Sequence, residues 1–130
     1  MLFQYKASWT ARYLNDGRMI VDDFKALALN GQEISSFVTL RTYSEVTRRW
    51  EMTGLGALQP APNAEWNGVW TDGEMRLDAA GLNAEGKRVK TRIRFFNVEK
   101  QSFEWESSTS LDDGKTWMHT ASLTANRTKQ

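Results

Sequence analysis

Hydrophobic and polar residues alternate at period two along most of this chain. In residues 3–13 every odd position is apolar or aromatic (Phe3, Tyr5, Ala7, Trp9, Ala11, Tyr13), while Gln4, Lys6, Ser8, Thr10 and Arg12 occupy the even ones. Successive side chains of a strand point to opposite faces, so the stretch predicts a strand with one dry and one wet face. Asn15-Asp16-Gly17 follows, and its Asp-Gly pair supplies the positive φ of a tight hairpin. A second run, 19–29, ends at Asn30-Gly31. Phe24, Leu27 and Ala28 have helical spacing there, but two hairpin signals flank them; strand is the reading and a short helix the alternative. Runs 34–43 and 49–55 continue the meander, which Gln59-Pro60-Ala61-Pro62-Asn63 interrupts with the only prolines. Then 65–71 turns at Asp72-Gly73 into 74–80, and Asn83-Ala84-Glu85-Gly86 leads into 88–98. A last hairpin pairs 102–110 with 116–125 across Asp112-Asp113-Gly114-Lys115.

Roughly nine strands emerge, with turns about every 8 to 15 residues. Parallel pairing needs crossover helices, which this pattern lacks, so the sheet is expected to be antiparallel. Closure into an up-and-down barrel of about eight to ten strands would remove the open edges, and a two-sheet sandwich is the alternative. A length of 130 residues bounds the chain to a single domain, 1–130. Six Trp, three Tyr and six Phe are enough either to fill such a barrel or to line a cavity within it.

Charge adds little to this picture. Seventeen Lys and Arg against sixteen Asp and Glu leave a formal charge of +1, which gives no bulk attraction to nucleic acid or to a membrane surface. No stretch reaches the roughly 18 to 20 apolar residues of a membrane span, and the first residues alternate where a signal peptide would run apolar. The absence of cysteine removes disulfides, thiolate metal sites and Cys nucleophiles, and fits a reducing compartment with the cytoplasm as default. Because the strand pattern begins almost at Met1, a further segment ahead of it is a reasonable expectation.

Ser110-Leu111-Asp112-Asp113-Gly114-Lys115-Thr116-Trp117 fits S-x-D-x-G-x-T-W, the Asp-box hairpin that recurs once per blade in sialidase-type propellers. Here it occurs once, and a propeller needs about four blades or more. The bland reading is preferred: a turn tied down by Asp112, with Gly114 at positive φ. Taken with Phe103-Glu104-Trp105 before it and Asn126-Arg127 after it, the hairpin resembles the C-terminus of lipocalin-like, calycin-type bacterial barrel domains of unknown function. Their Thr-x-Arg-x-Tyr strand, followed by a turn and a Trp strand, is similar to Thr39, Arg41, Tyr43 and Trp50 here. The resemblance covers most of 33–127 and departs in lacking a Gly-x-Trp opening strand. It implies a closed β-barrel with an internal pocket and supplies no reaction.

The one histidine, His119, alternates with Trp117, Ala121 and Leu123 and is expected on their inward face. A lone inward histidine could ligate haem iron, but a hydrogen-bonded barrel histidine is the preferred reading, and zinc would need more ligands. No cofactor and no metal are expected. Arg41 depends on register. With Phe37, Thr39, Arg41 and Tyr43 inward it is a buried cation that demands a carboxylate partner or an anionic ligand. With Ile34, Ser36, Val38 and Leu40 inward it lies in water, and alternation alone leaves both open. In 88–98, Val89, Thr91, Ile93 and Phe95 point inward and Lys90, Arg92 and Arg94 form an exposed basic row, which is usually a solvated face. Glu104 and Glu106 face away from Phe103 and Trp105 and so toward solvent. The remaining tryptophans are read as core or pocket wall, and Trp66 and Trp70 share a face; placed outward, they would form a homodimer interface. Asn126-Arg127-Thr128 is a glycosylation sequon that matters only in a secreted protein.

These readings converge on a small β-barrel that binds a small hydrophobic, amphipathic or anionic ligand, with Arg41, Tyr43, Trp50, Trp105, Trp117 and His119 as candidate lining. No Gly-x-Ser-x-Gly elbow is present, so a Ser-His-Asp site is disfavoured. The alternatives are a barrel isomerase, cyclase or dehydratase using His119 as general acid or base, and a structural module with a filled core.

Overall fold

A computed structural model describes residues 4–56, 64–83 and 85–128. It contains nine strands: β1 (Tyr5–Leu14), β2 (Met19–Ala28), β3 (Glu33–Ser44), β4 (Arg49–Gly56), β5 (Ala64–Thr71), β6 (Glu74–Leu82), β7 (Arg88–Phe96), β8 (Ser102–Ser110) and β9 (Met118–Asn126). They run up and down in chain order with antiparallel ladders, and no helix occurs among the described residues. The segment 23–29 lies in strand rather than helix as far as Ala28. Phe3 and the proline-bearing link 59–63 lie outside the described residues. The chain divides into two compact units, Met1–Glu65 and Trp66–Gln130.

Turn chemistry sets the strand ends. At Asp72-Gly73, Thr71 pairs with Glu74, and both loop residues have positive φ, 52° and 77°. This is the two-residue geometry whose twist matches that of paired strands. Asn15 and Asp16 also adopt positive φ in the wider turn between β1 and β2.

In the first unit one face of β1–β4 collects the aromatic side chains. Trp9 pairs with Phe24 and Phe24 with Phe37; one strand-step along, Asp22 pairs with Thr39 and Thr39 with Gly54; Arg41 pairs with Met52 and Tyr43 with Trp50. The aromatic register of β3 is therefore the one adopted, and Arg41 shares its face with Phe37, Thr39 and Tyr43. Trp9 meets Phe24 edge to face at 5.2 Å. Phe37 lies across the backbone of Gly54, where an added Cβ would sit 2.5 Å from its ring. Ala26 and Met52 are buried on this face.

In the second unit an apolar row crosses five strands: Trp70, Met75, Phe95, Trp105 and Leu123 are successive cross-strand partners. Beside it Leu77, which is buried, pairs with Ile93, Ile93 with Ser107, and Ser107 with Ala121. Trp66 and Trp70 share this face, since Gly68 between them pairs with Leu77. The opposite face carries charge. Arg94 pairs with Glu106 at 2.8 Å and with Glu74 at 3.0 Å, and Arg76 adds a second cation to Glu74 at 2.7 Å. Hydrogen bonds from Arg76 and Arg94 hold the Glu74 carboxyl below its ordinary pKa. Glu106 thus lies away from the apolar row, as alternation predicts.

Candidate binding site

The most concentrated polar chemistry on an apolar face lies in the first unit. Asp22 enters it because Ile20, Asp22, Phe24 and Ala26 share one side of β2, so a carboxylate occupies a position its neighbours make apolar. Only 4% of Asp22 is exposed. A carboxylate there must be compensated, and three donors do so. Arg41 Nε donates to Oδ1 at 2.7 Å and Nη2 donates to Oδ2 at 2.9 Å, the planar fork of a bidentate pair. Trp9 Nε1 donates to Oδ2 at 2.7 Å. Arg41 keeps 18% of its side-chain surface open and directs Nη1 toward the Met52 sulfur at 3.7 Å.

Aromatic side chains border this cluster. Phe24 stands against Trp9, and Tyr43 meets Trp50 edge to face at 5.7 Å, with 44% of Tyr43 exposed. Arg41, Tyr43 and Trp50, three of the sequence-derived candidates, are thus brought together on one face by the β3–β4 ladder. Asp22 and Trp9 complete the set. The sequence demands a carboxylate for an inward Arg41 without saying which; the signal that singles out Asp22 is its place within the apolar parity of β2.

The other three candidates lie in the second unit, on two different faces. Trp105 belongs to the apolar row, between Phe95 and Leu123. Trp117 lies under the Arg92 guanidinium at 4.1 Å, and its indole N–H donates to the Gly114 carbonyl at 3.1 Å. His119 departs from expectation. A β-bulge shifts the β8–β9 register, so that Ser107 pairs with Ala121 but Ser108 pairs with His119. The extra residue, Thr120, bonds the Ser107 hydroxyl at 2.7 Å. A one-residue shift exchanges faces, and His119 therefore lies exposed on the face of Ser108 and Arg92, away from Ala121 and Leu123. The basic row is compensated as well: Lys90 reaches Asp113 at 3.3 Å, Arg92 reaches Asp78 at 3.6 Å, and Arg94 has its two glutamates.

The Asp-box segment folds as the bland reading requires. Asp112 accepts from the Ser110 hydroxyl and from the Thr116 N–H, both at 2.8 Å, and from the Thr116 hydroxyl. Gly114, at φ 91°, donates its N–H to the buried Ser110 hydroxyl at 2.8 Å. These bonds, led by that of the Thr116 hydroxyl, lower the Asp112 pKa to about 2. Every acceptor position named is occupied by the turn itself, which makes Asp112 a structural residue.

Among the described residues no three His, Asp or Glu side chains come together as a metal-binding group, and no helix is long and apolar enough to cross a membrane. Compared with protein-family models, curated proteins and solved structures, the chain matches none.

Proposed function

We propose that this protein binds a small amphipathic molecule, its apolar part against the aromatic face of β1–β4 and its polar end beside Arg41. The observation that carries this reading is the Asp22–Arg41–Trp9 cluster, set among Phe24, Met52, Tyr43 and Trp50. A buried ion pair contributes little net stability compared with apolar residues of the same volume, so stability alone gives no reason for one here. Binding sites have the reverse economy: mostly apolar and aromatic walls with a few oriented polar groups that fix the ligand. Nine antiparallel strands in up-and-down order support a lipocalin-like, calycin-type reading of the fold, in which such a face would line the barrel interior.

Two measurements test this reading. Native mass spectrometry of the purified protein, beside its denatured mass, is expected to show a bound small molecule that denaturation releases. Titration with dodecanol, followed by tryptophan fluorescence, is expected to saturate. Arg41→Ala should weaken that binding about tenfold, the loss of one charge-assisted contact, without loss of the strand circular-dichroism signal. Unchanged affinity in a folded variant would remove Arg41 as the anchor.

A further inference from the structure

Resting on the binding reading above, we infer that the site selects a neutral polar headgroup, such as an alcohol or amide, and discriminates against a carboxylate. An unpaired inward arginine would call for an anion. Here its counter-charge is already present: both oxygens of Asp22 are engaged by Arg41, through Nε at 2.7 Å and Nη2 at 2.9 Å. A ligand carboxylate approaching the open part of Arg41 would meet a guanidinium whose charge is compensated. It would also be forced close to the Asp22 carboxylate, which is only 4% exposed. Like charges brought together in a weakly hydrated site repel strongly, and stripping water from an anion adds to the cost.

A neutral headgroup pays neither cost. An alcohol or amide oxygen can accept a hydrogen bond from the guanidinium without disturbing the pair. Trp9 reinforces the selection, because its N–H is spent on Asp22 Oδ2 at 2.7 Å and holds the carboxylate on the inner side. Asp22 therefore acts as a built-in anion that occupies the place a ligand acid would take. The specificity belongs to the pair and not to Arg41 alone.

The test compares two probes of equal chain length, dodecanol and dodecanoate, at a pH where the acid is ionised and below their micelle-forming concentrations. Tryptophan fluorescence follows binding to the intact chain. The native protein is expected to prefer dodecanol by about tenfold or more. Asp22→Asn removes the carboxylate charge that Arg41 grips and should invert that preference. The double variant Asp22→Asn with Arg41→Gln removes both charges, is expected to fold even where the single variant does not, and should restore the preference for dodecanol. Equal or tighter binding of dodecanoate by the native protein would overturn the inference while leaving the binding site standing. Saturable binding of neither probe would overturn both.

Discussion

Arg41 and Asp22, nineteen residues apart in sequence, meet through two parallel hydrogen bonds of 2.7 and 2.9 Å on neighbouring strands. Their Cα positions are not direct cross-strand partners: Asp22 pairs with Thr39 and Arg41 with Ile20. The arginine therefore reaches diagonally by one pair, a distance its long side chain spans readily.

Removing one partner should be costly. Arg41→Leu leaves a buried carboxylate without its cation and should lower stability by about 3–5 kcal/mol, read as a shift of the urea midpoint. Asp22→Leu combined with Arg41→Met should recover most of that loss. A double variant as unstable as the single one would mean that the aromatic packing, and not the charge, fails.

Acid should act on the second unit through Asp112. Its folded-state pKa, about 2, lies below the ordinary 3.8, so its turn is stabilised above 3.8 and that contribution is lost as the pH falls from 3.8 toward about 2. Asp112→Ala should therefore melt earlier than the native chain at neutral pH, and the two melting curves should draw together in that acid window. A gap that persists below it would show that the carboxylate charge is not what ties the turn.

Gly54→Ala should destabilise the first unit by about 1–3 kcal/mol, because its new methyl would overlap the stiff ring of Phe37. With Phe37→Leu already in place, the same substitution should cost distinctly less. Equal costs in both backgrounds, measured by urea denaturation, would break the link between these two residues.

His119→Ala should change stability by less than about 0.5 kcal/mol and leave dodecanol affinity unaltered, since the side chain is exposed on the charged face. A clear fall in affinity would return His119 to the site.

Strand positions are legible in the alternation, and most turns add a local signal such as Asp-Gly or Asn-Gly, although the β3–β4 turn, Glu45 to Arg48, carries none. The parity of β7 and β8 was legible for the same reason, down to Glu106 opposite Trp105. The Arg41 register was not, since β3 offers an apolar set at both parities and only the pairing of Phe37 with Phe24 selects one. The apolar parity of β2 marks Asp22, but its pairing with Arg41 is fixed by sheet register, which a linear pattern does not contain. Parity counting puts His119 inward for a related reason: it assumes an unbroken strand, whereas the bulge inserts a residue between His119 and Ala121. The partners of Lys90, Arg92 and Arg94 likewise come from other strands and the Asp112–Gly114 turn, so a row that reads as basic in one strand is compensated in three dimensions.

That bulge also marks a place where the chain can change length without changing its message. Thr120 has no position of its own in the β8–β9 ladder, and the residues on either side already stand where a regular strand would put them. Deleting it would cost one hydroxyl contact with Ser107 and leave His119 outward and Ala121 inward as before. Deleting either neighbour instead would leave Thr120 to fill the vacated position. The strand thus tolerates the loss of one letter at this point, whereas the loss of a letter within the regular stretch of β3, where every residue from Ser35 to Thr42 has a partner on β2, would turn the Arg41 half of the aromatic face inside out.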